Sequence, residues 1–132
     1  MIAVDTNILV RYAVKDDRRQ TVTATEFLKN NQCRILKTVL LELVWVLSSE
    51  SGYGLDRTIT SERVRHICGL PTVSVEDPAG VAQAVLLYEQ GMDFGDALHL
   101  ATSSLLQGFA TFDRRLAQKA AKLAPEQSVT LL

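Results

Sequence analysis

The chain has 132 residues, of which 47% are hydrophobic and 22% are charged. This length suits a single domain over residues 1–132, and the apolar content is enough for a hydrophobic core, which excludes a disordered chain. Fourteen basic and fifteen acidic side chains leave a net charge of −1. This balance argues against binding of nucleic acid by overall positive charge, and any basic surface must be local.

Short apolar strands alternate with helices along the chain. This alternation is typical of an α/β fold in which a mostly parallel sheet of four to five strands is covered by helices on both faces. The predicted elements, in chain order, are a buried strand 2–4, a helical segment from about residue 8, helix 20–30, strand 33–36, helix 38–51, helix 60–69, strand 72–75, helix 78–91, helix 94–106, strand 109–112, helix 114–121 and strand 129–132.

The cysteines and the N-terminus both indicate a reducing compartment. Cys33 and Cys68 lack the spacing of a metal site, so we expect them to be buried thiols. The first residues carry no basic segment of the kind that begins a signal peptide, and no apolar run is long enough to span a membrane. We therefore expect a soluble cytoplasmic protein.

Two aspartates follow predicted strands directly. Asp5 comes after Ile2–Val4, and Asp113 comes after Phe109–Phe112. Ligand sites of parallel sheets form at the carboxyl ends of the strands, which favours a functional site here. The alternative is that each aspartate only caps the helix that follows it.

Glu42 is the single polar residue in the run from Val39 to Leu47. A helix that is apolar on almost every side is expected to be buried, and an ionised carboxylate there needs a cation or hydrogen-bond donors. The sequence therefore predicts a buried Glu42 that takes part in a site. The alternative is an inward carboxylate paired with an arginine, or one at a narrow exposed edge.

Asp93 and Asp96 lie three residues apart at the start of a predicted helix, so they share a face. Capping explains Asp93 well and Asp96 less well, because apolar residues follow Asp96. Together with Asp5, Glu42 and Asp113, Asp96 gives four scattered acids that the fold can bring together. Four carboxylates without thiolate or clear imidazole partners suit Mg²⁺ or Mn²⁺, which support hydrolysis of phosphate esters.

The sequence resembles the PIN-domain proteins, and in particular the VapC-type ribonuclease toxins of toxin–antitoxin pairs. The resemblance spans nearly the whole chain and rests on four segments in family order. These are Val4–Arg11, Leu41–Leu43, Asp93–Leu98 and Thr111–Asp113.

The resemblance implies a three-layer PIN-like sandwich and a Mg²⁺-dependent endoribonuclease that hydrolyses RNA with a metal-activated water. It also implies a homodimer and a cognate antitoxin that covers the acidic groove. By this resemblance, the catalytic, metal-binding acids are Asp5, Glu42, Asp96 and Asp113. Asp93 is an auxiliary acid, and Asn7 and Thr111 orient ligands or waters.

Basic residues follow the last acid of this set. Arg114 and Arg115 begin a basic helix, and Arg11, Arg18 and Arg19 could extend the same rim. We expect Arg114, Arg115 and Arg11 to contact RNA phosphates. A solvated helix face is the alternative for the lysines further along that helix. The other functions considered are a PIN nuclease that is not a toxin, a Mg²⁺-dependent phosphatase or receiver domain, and a non-catalytic interaction module.

Overall fold

The computed structural model describes residues 1–132, with seven helices and five strands. The chain divides into two compact units, Met1–Pro78 and Ala79–Leu132. Both units mix helices with parallel strands, so the predicted α/β class is confirmed. None of the seven helices combines the length and the apolar character that crossing a bilayer requires.

The first unit contains a three-stranded parallel sheet in the order β1-β2-β3, with Ile2 opposite Cys33 and Cys33 opposite Val73. Helix α1 packs against α2, α3 and α4, and buries Leu9, Val10 and Ala13. The elements are β1 (Ile2–Ala3), α1 (Thr6–Val14), α2 (Arg18–Asn30), β2 (Cys33–Ile35), α3 (Lys37–Ser48), α4 (Arg57–Cys68) and β3 (Val73–Val75).

The second unit contains a two-stranded parallel sheet, in which Phe109 lies opposite Val129 and Thr111 lies opposite Leu131. Helix α7 packs on both strands through an apolar face that includes Leu116. The elements are α5 (Pro78–Glu89), which begins at the last residue of the first unit, α6 (Phe94–Thr102), β4 (Phe109–Thr111), α7 (Arg114–Leu123) and β5 (Val129–Leu131).

The expected single sheet of four to five strands is wrong, because the five strands form one sheet of three and one of two. Each strand has only two or three residues and so forms few ladder hydrogen bonds. The first strand is shorter than predicted and is not buried: Ile2 is 45% exposed, and only Val4 of the predicted segment is in the core. Because Asp5 caps α1 at once, little chain remains to extend that strand.

Helix α6 ends at Thr102, four residues before the predicted end. The hydroxyl of Thr102 donates to the Leu98 carbonyl, and that of Ser103 donates to the Leu100 carbonyl. Serine and threonine side chains that bond to nearby carbonyls compete with helix continuation. The apolar Leu105 and Leu106, which suggested a longer helix, are exposed.

Both cysteines are free thiols, as expected, with Cys33 fully buried and Cys68 partly so. Burial raises the pKa of the Cys68 thiol to about 11. Only about one Cys68 thiol in a thousand is then ionised at pH 8, and the thiolate is the reactive form. We therefore predict slow alkylation of Cys68 by iodoacetamide at pH 8 in the folded protein, with fast alkylation in denaturant. Mass spectrometry of labelled peptides measures both rates, and equal rates would contradict this prediction.

Candidate active site

Three of the predicted acids cap helices. Asp5 accepts a hydrogen bond from the Thr6 amide at 2.7 Å, Asp93 accepts from the Asp96 amide at 3.0 Å, and Asp113 accepts from the Leu116 amide at 3.1 Å. Each of them therefore caps a helix, as the sequence allowed, and whether Asp5 and Asp113 also bind a ligand stays a prediction. In each case one carboxylate oxygen makes the bond and the other has no hydrogen-bond partner in the protein. A cap of this kind orients the carboxylate and leaves an oxygen for a ligand.

Near Asp5, a buried polar atom lacks a partner. Thr6, the first residue of α1, is only 5% exposed, and its hydroxyl oxygen is the one buried side-chain nitrogen or oxygen without a hydrogen bond. Buried polar atoms are nearly always satisfied, so such an atom calls for a water or an ion nearby. Asn7, the next residue, is exposed and makes no side-chain hydrogen bond, so its predicted role stays a prediction.

The expectation of a buried Glu42 is wrong, because its side chain is exposed on α3. That helix buries one face and presents the opposite face to solvent, where Trp45 is 60% exposed. Glu42 has no ion-pair partner, so the alternative of an inward carboxylate held by an arginine is excluded as well. No hydrogen bond joins Glu42 to Asp5 in the first unit. The buried face of α3 is formed by Leu40, Leu43, Val44 and Leu47.

In the second unit, three acids are close enough to interact. Partial burial raises the pKa of Asp96, and the negative charges of Asp93 and Asp113 raise it further. His99 and Lys119 act in the opposite direction without cancelling the shift. Neighbouring carboxylates destabilise the ionised form of a carboxyl group, and a bound cation stabilises that form. We call Asp93, Asp96 and Asp113 the acid cluster, because these acids influence one another electrostatically.

The backbone at Asp113 is fixed by its neighbour. The Asp113 amide donates to the Thr111 hydroxyl at 2.9 Å, and the Leu132 amide donates to the Thr111 carbonyl. Thr111 thus holds the segment that carries the acid, and its predicted role in orienting ligands or waters stays a prediction. Lys119, on α7, donates to the Gly91 carbonyl, which lies just before the helix of Asp93 and Asp96.

The arginines predicted to contact RNA differ in whether they already have ion-pair or hydrogen-bond partners. Arg114 and Arg115 are exposed at the start of α7, and neither forms an ion pair. Arg11 is bound within the first unit, since its guanidinium contacts Asp16 at 2.8 Å and the Tyr53 hydroxyl at 3.2 Å. The Tyr53 hydrogen bond, and then Arg11, hold the pKa of Asp16 below its usual value. Arg11 must exchange these partners in order to bind a phosphate.

Sequence reasoning missed two residues here. The first is Thr6, whose buried hydroxyl has no hydrogen-bond partner. The sequence does not indicate that a threonine at this position is buried. Phe112 was assigned to a strand, but it follows β4 and is 82% exposed. The only sequence signal available for it was that Phe112 directly precedes Asp113, which the two arginines follow.

The donor set suits a hard divalent cation. All of the candidate ligands are carboxylates, with the unsatisfied Thr6 hydroxyl oxygen next to one of them, and oxygen donors are what Mg²⁺ and Mn²⁺ prefer. Within neither unit do three His, Cys, Asp or Glu side chains form a group that could hold a metal ion. Each unit contributes two of the four predicted ligands, so neither contains the full set.

The sequence model of the PIN domain family matches residues 2–122, and the chain belongs to this family. The match covers almost all of the elements above, including every predicted site residue. PIN domains are in general metal-dependent nucleases, so family membership supports a nuclease, a hydrolase of phosphodiester bonds. No curated protein matched the chain.

Proposed function

We propose that this PIN-domain protein is a Mg²⁺-dependent endoribonuclease, with Mn²⁺ as an alternative ion. The main observation in support is the acid cluster, in which partial burial and then the charges of Asp93 and Asp113 raise the pKa of Asp96. In a chain of a nuclease family, carboxylates that repel one another are well suited to binding a cation. Incubation of the purified protein with a mixed RNA substrate tests the proposal: cleavage in Mg²⁺ is expected, and undiminished cleavage in excess EDTA would contradict it.

Four carboxylates are assigned to the metal: Asp5, Glu42, Asp96 and Asp113. When bound, the ion would lower the pKa of a water and offset the charge that develops on the phosphate. Asp93 adds negative charge next to Asp96 and caps the same helix. The Asp5 and Asp113 carboxylates are oriented by the backbone amides that they accept from, so each is held before a ligand arrives.

Phosphate binding is assigned mainly to α7. Its exposed side includes Arg114, Arg115 and Lys122, while Leu116 and Ala120 are buried. Contacts of this kind hold the RNA backbone without reading its sequence. Arg11 is a second candidate if the RNA displaces Asp16 from it.

Replacement of both Arg114 and Arg115 by alanine should weaken RNA binding and reduce its dependence on salt. Each phosphate contact that is lost lowers the slope of log affinity against log salt by about 0.7 for single-stranded RNA. Fluorescence anisotropy at several salt concentrations measures this slope. The matched control is the pair Lys29→Ala on α2 and Arg57→Ala on α4, two exposed basic residues that should leave the slope close to that of the parent. An unchanged slope in the α7 variant would show that the RNA binds elsewhere.

The biological setting proposed is that of a VapC-type toxin, which acts as a cytoplasmic homodimer and is neutralised by a cognate antitoxin. The support is the resemblance of the sequence to VapC-type toxins, which belong to the same PIN domain family as this chain. Expression of the chain alone should then arrest the growth of its host, while Asp96→Asn should not. Harmless expression of an active nuclease would favour a PIN nuclease that is not a toxin. Light scattering at micromolar concentration tests the dimer, and a monomeric mass would contradict it.

A further inference from the structure

Phe112 combines strong exposure with a position next to a predicted metal ligand. It lies between β4 and α7, and its side chain is 82% exposed. Single exposed apolar residues are ordinary, so exposure alone carries no function. What distinguishes Phe112 is that Asp113 follows it directly and two exposed arginines follow Asp113.

We propose that the ring of Phe112 stacks on one nucleobase of a single-stranded RNA substrate and so positions the RNA beside Asp113. The proposal rests on the proposed ribonuclease function, since it requires an RNA substrate. It adds a substrate-positioning residue that belongs neither to the acids nor to the basic residues assigned above.

The backbone around Phe112 is held on both sides. On the N-terminal side, Thr111 pairs with Leu131 in the two-stranded sheet, and its carbonyl accepts from the Leu132 amide at 2.9 Å. On the C-terminal side, the Asp113 amide donates to the Thr111 hydroxyl, and the Asp113 carboxylate caps α7. A ring on a fixed backbone with few side-chain torsions loses little freedom on binding, which favours affinity.

The charges that follow Phe112 favour nucleic acid over an apolar partner. Arg114 and Arg115 are exposed and free of ion pairs, so both can approach phosphates while the ring meets a base. Aromatic side chains combined with a basic surface are the usual means of binding single strands, because every base has a π-face. Phe112 should therefore add affinity for RNA without selecting a particular base.

The test measures the affinity of a short fluorescent single-stranded RNA in an Asp96→Asn background, so that cleavage does not interfere. Phe112→Ala and Phe112→Leu should each weaken binding about tenfold, since stacking contributes roughly this much per base. Phe112→Tyr should stay within about twofold of the parent, because it keeps the aromatic face. Leu105→Ala, which also removes an exposed apolar side chain, should have no effect.

Two further measurements isolate stacking. On the same RNA carrying abasic sites, Phe112→Ala should bind as well as the parent, because the base that the ring would contact is gone. The salt dependence of Phe112→Ala should match that of the parent, unlike the double arginine variant, since stacking releases no counterions.

Three results would overturn the proposal: parental affinity in Phe112→Ala, parental affinity in Phe112→Leu, or a change of molecular mass in Phe112→Ala, which would place the ring at an interface between copies. If the parent nevertheless cuts RNA in Mg²⁺, the proposed function stands and only the stacking role fails. A parent that neither binds nor cuts RNA would overturn both.

Discussion

Asp96→Asn should lower the rate of RNA cleavage by more than about a hundredfold while the protein stays folded. Even residues that only orient a metal ligand typically cost 10- to 100-fold when they are changed, so the loss of a ligand should cost more. Asparagine preserves the shape of the side chain, and the cap of α6 depends on the Asp96 amide rather than its carboxylate. The measurement is kcat/KM for a defined RNA in Mg²⁺, with circular dichroism as the check on folding.

The chain offers matched controls for this prediction. Asp17 and Asp56 cap α2 and α4 through the amide three residues further on, as Asp113 caps α7, but they are not among the predicted ligands. Asp5 caps α1 through the adjacent Thr6 amide. Asparagine caps helices about as well as aspartate, so all four substitutions should preserve the helices. Asp5→Asn and Asp113→Asn should abolish cleavage, whereas Asp17→Asn and Asp56→Asn should retain it. Equal losses in the two pairs would show that capping alone explains these acids.

Mg²⁺ should raise the melting temperature of the parent, and Asp96→Asn should largely remove this effect. Only a ligand that binds the folded state stabilises it, by about 2.7 kcal/mol when its concentration is a hundred times its Kd. For a chain of this size that corresponds to roughly 10 °C. Melting curves of both proteins, each in EDTA and in Mg²⁺, measure the two shifts, and Asp56→Asn should behave like the parent.

In EDTA, Asp96→Asn should melt slightly higher than the parent. The pKa of Asp96 is raised in the fold, first by partial burial and then by the charges of Asp93 and Asp113. A raised carboxyl pKa means that the protonated form is favoured in the folded state, so the stabilisation is present at low pH and disappears as pH rises through that pKa. At neutral pH the ionised Asp96 is a cost that asparagine removes, worth ~0.5 kcal/mol because partial exposure screens the repulsion. A lower melting point in EDTA would contradict this interpretation of the cluster.

The local features of the fold were predictable from the sequence because they depend on neighbouring residues. An apolar segment followed by aspartate and a helical pattern located the start of α7, and Asp93 located the start of α6. The same pattern indicated α1, which begins at Thr6, two residues before the predicted start. The proline at the first position of α5 was likewise predictable, since it is compatible with a helix start.

Features that depend on distant contacts were not predictable. Helix α3 is apolar nearly all round, so its sequence could not indicate that Glu42 and Trp45 lie on a solvent-exposed face. The partners of Arg11 include Tyr53, which is 42 residues away, and no local pattern indicates that bond. The division of the strands into two sheets depends on a few ladder hydrogen bonds between segments far apart in sequence.

Equilibrium binding of Mn²⁺ to the purified protein, without RNA, tests the central claim most directly. The claim is that the proposed acids bind a divalent cation. We predict that the parent binds Mn²⁺ and that binding is weakened by each of four single substitutions, whereas Asp17→Asn and Asp56→Asn bind as the parent does. The four are Asp5→Asn, Glu42→Gln, Asp96→Asn and Asp113→Asn. Parental affinity in either Asp5→Asn or Glu42→Gln, or a parent that binds no Mn²⁺, would contradict the claim.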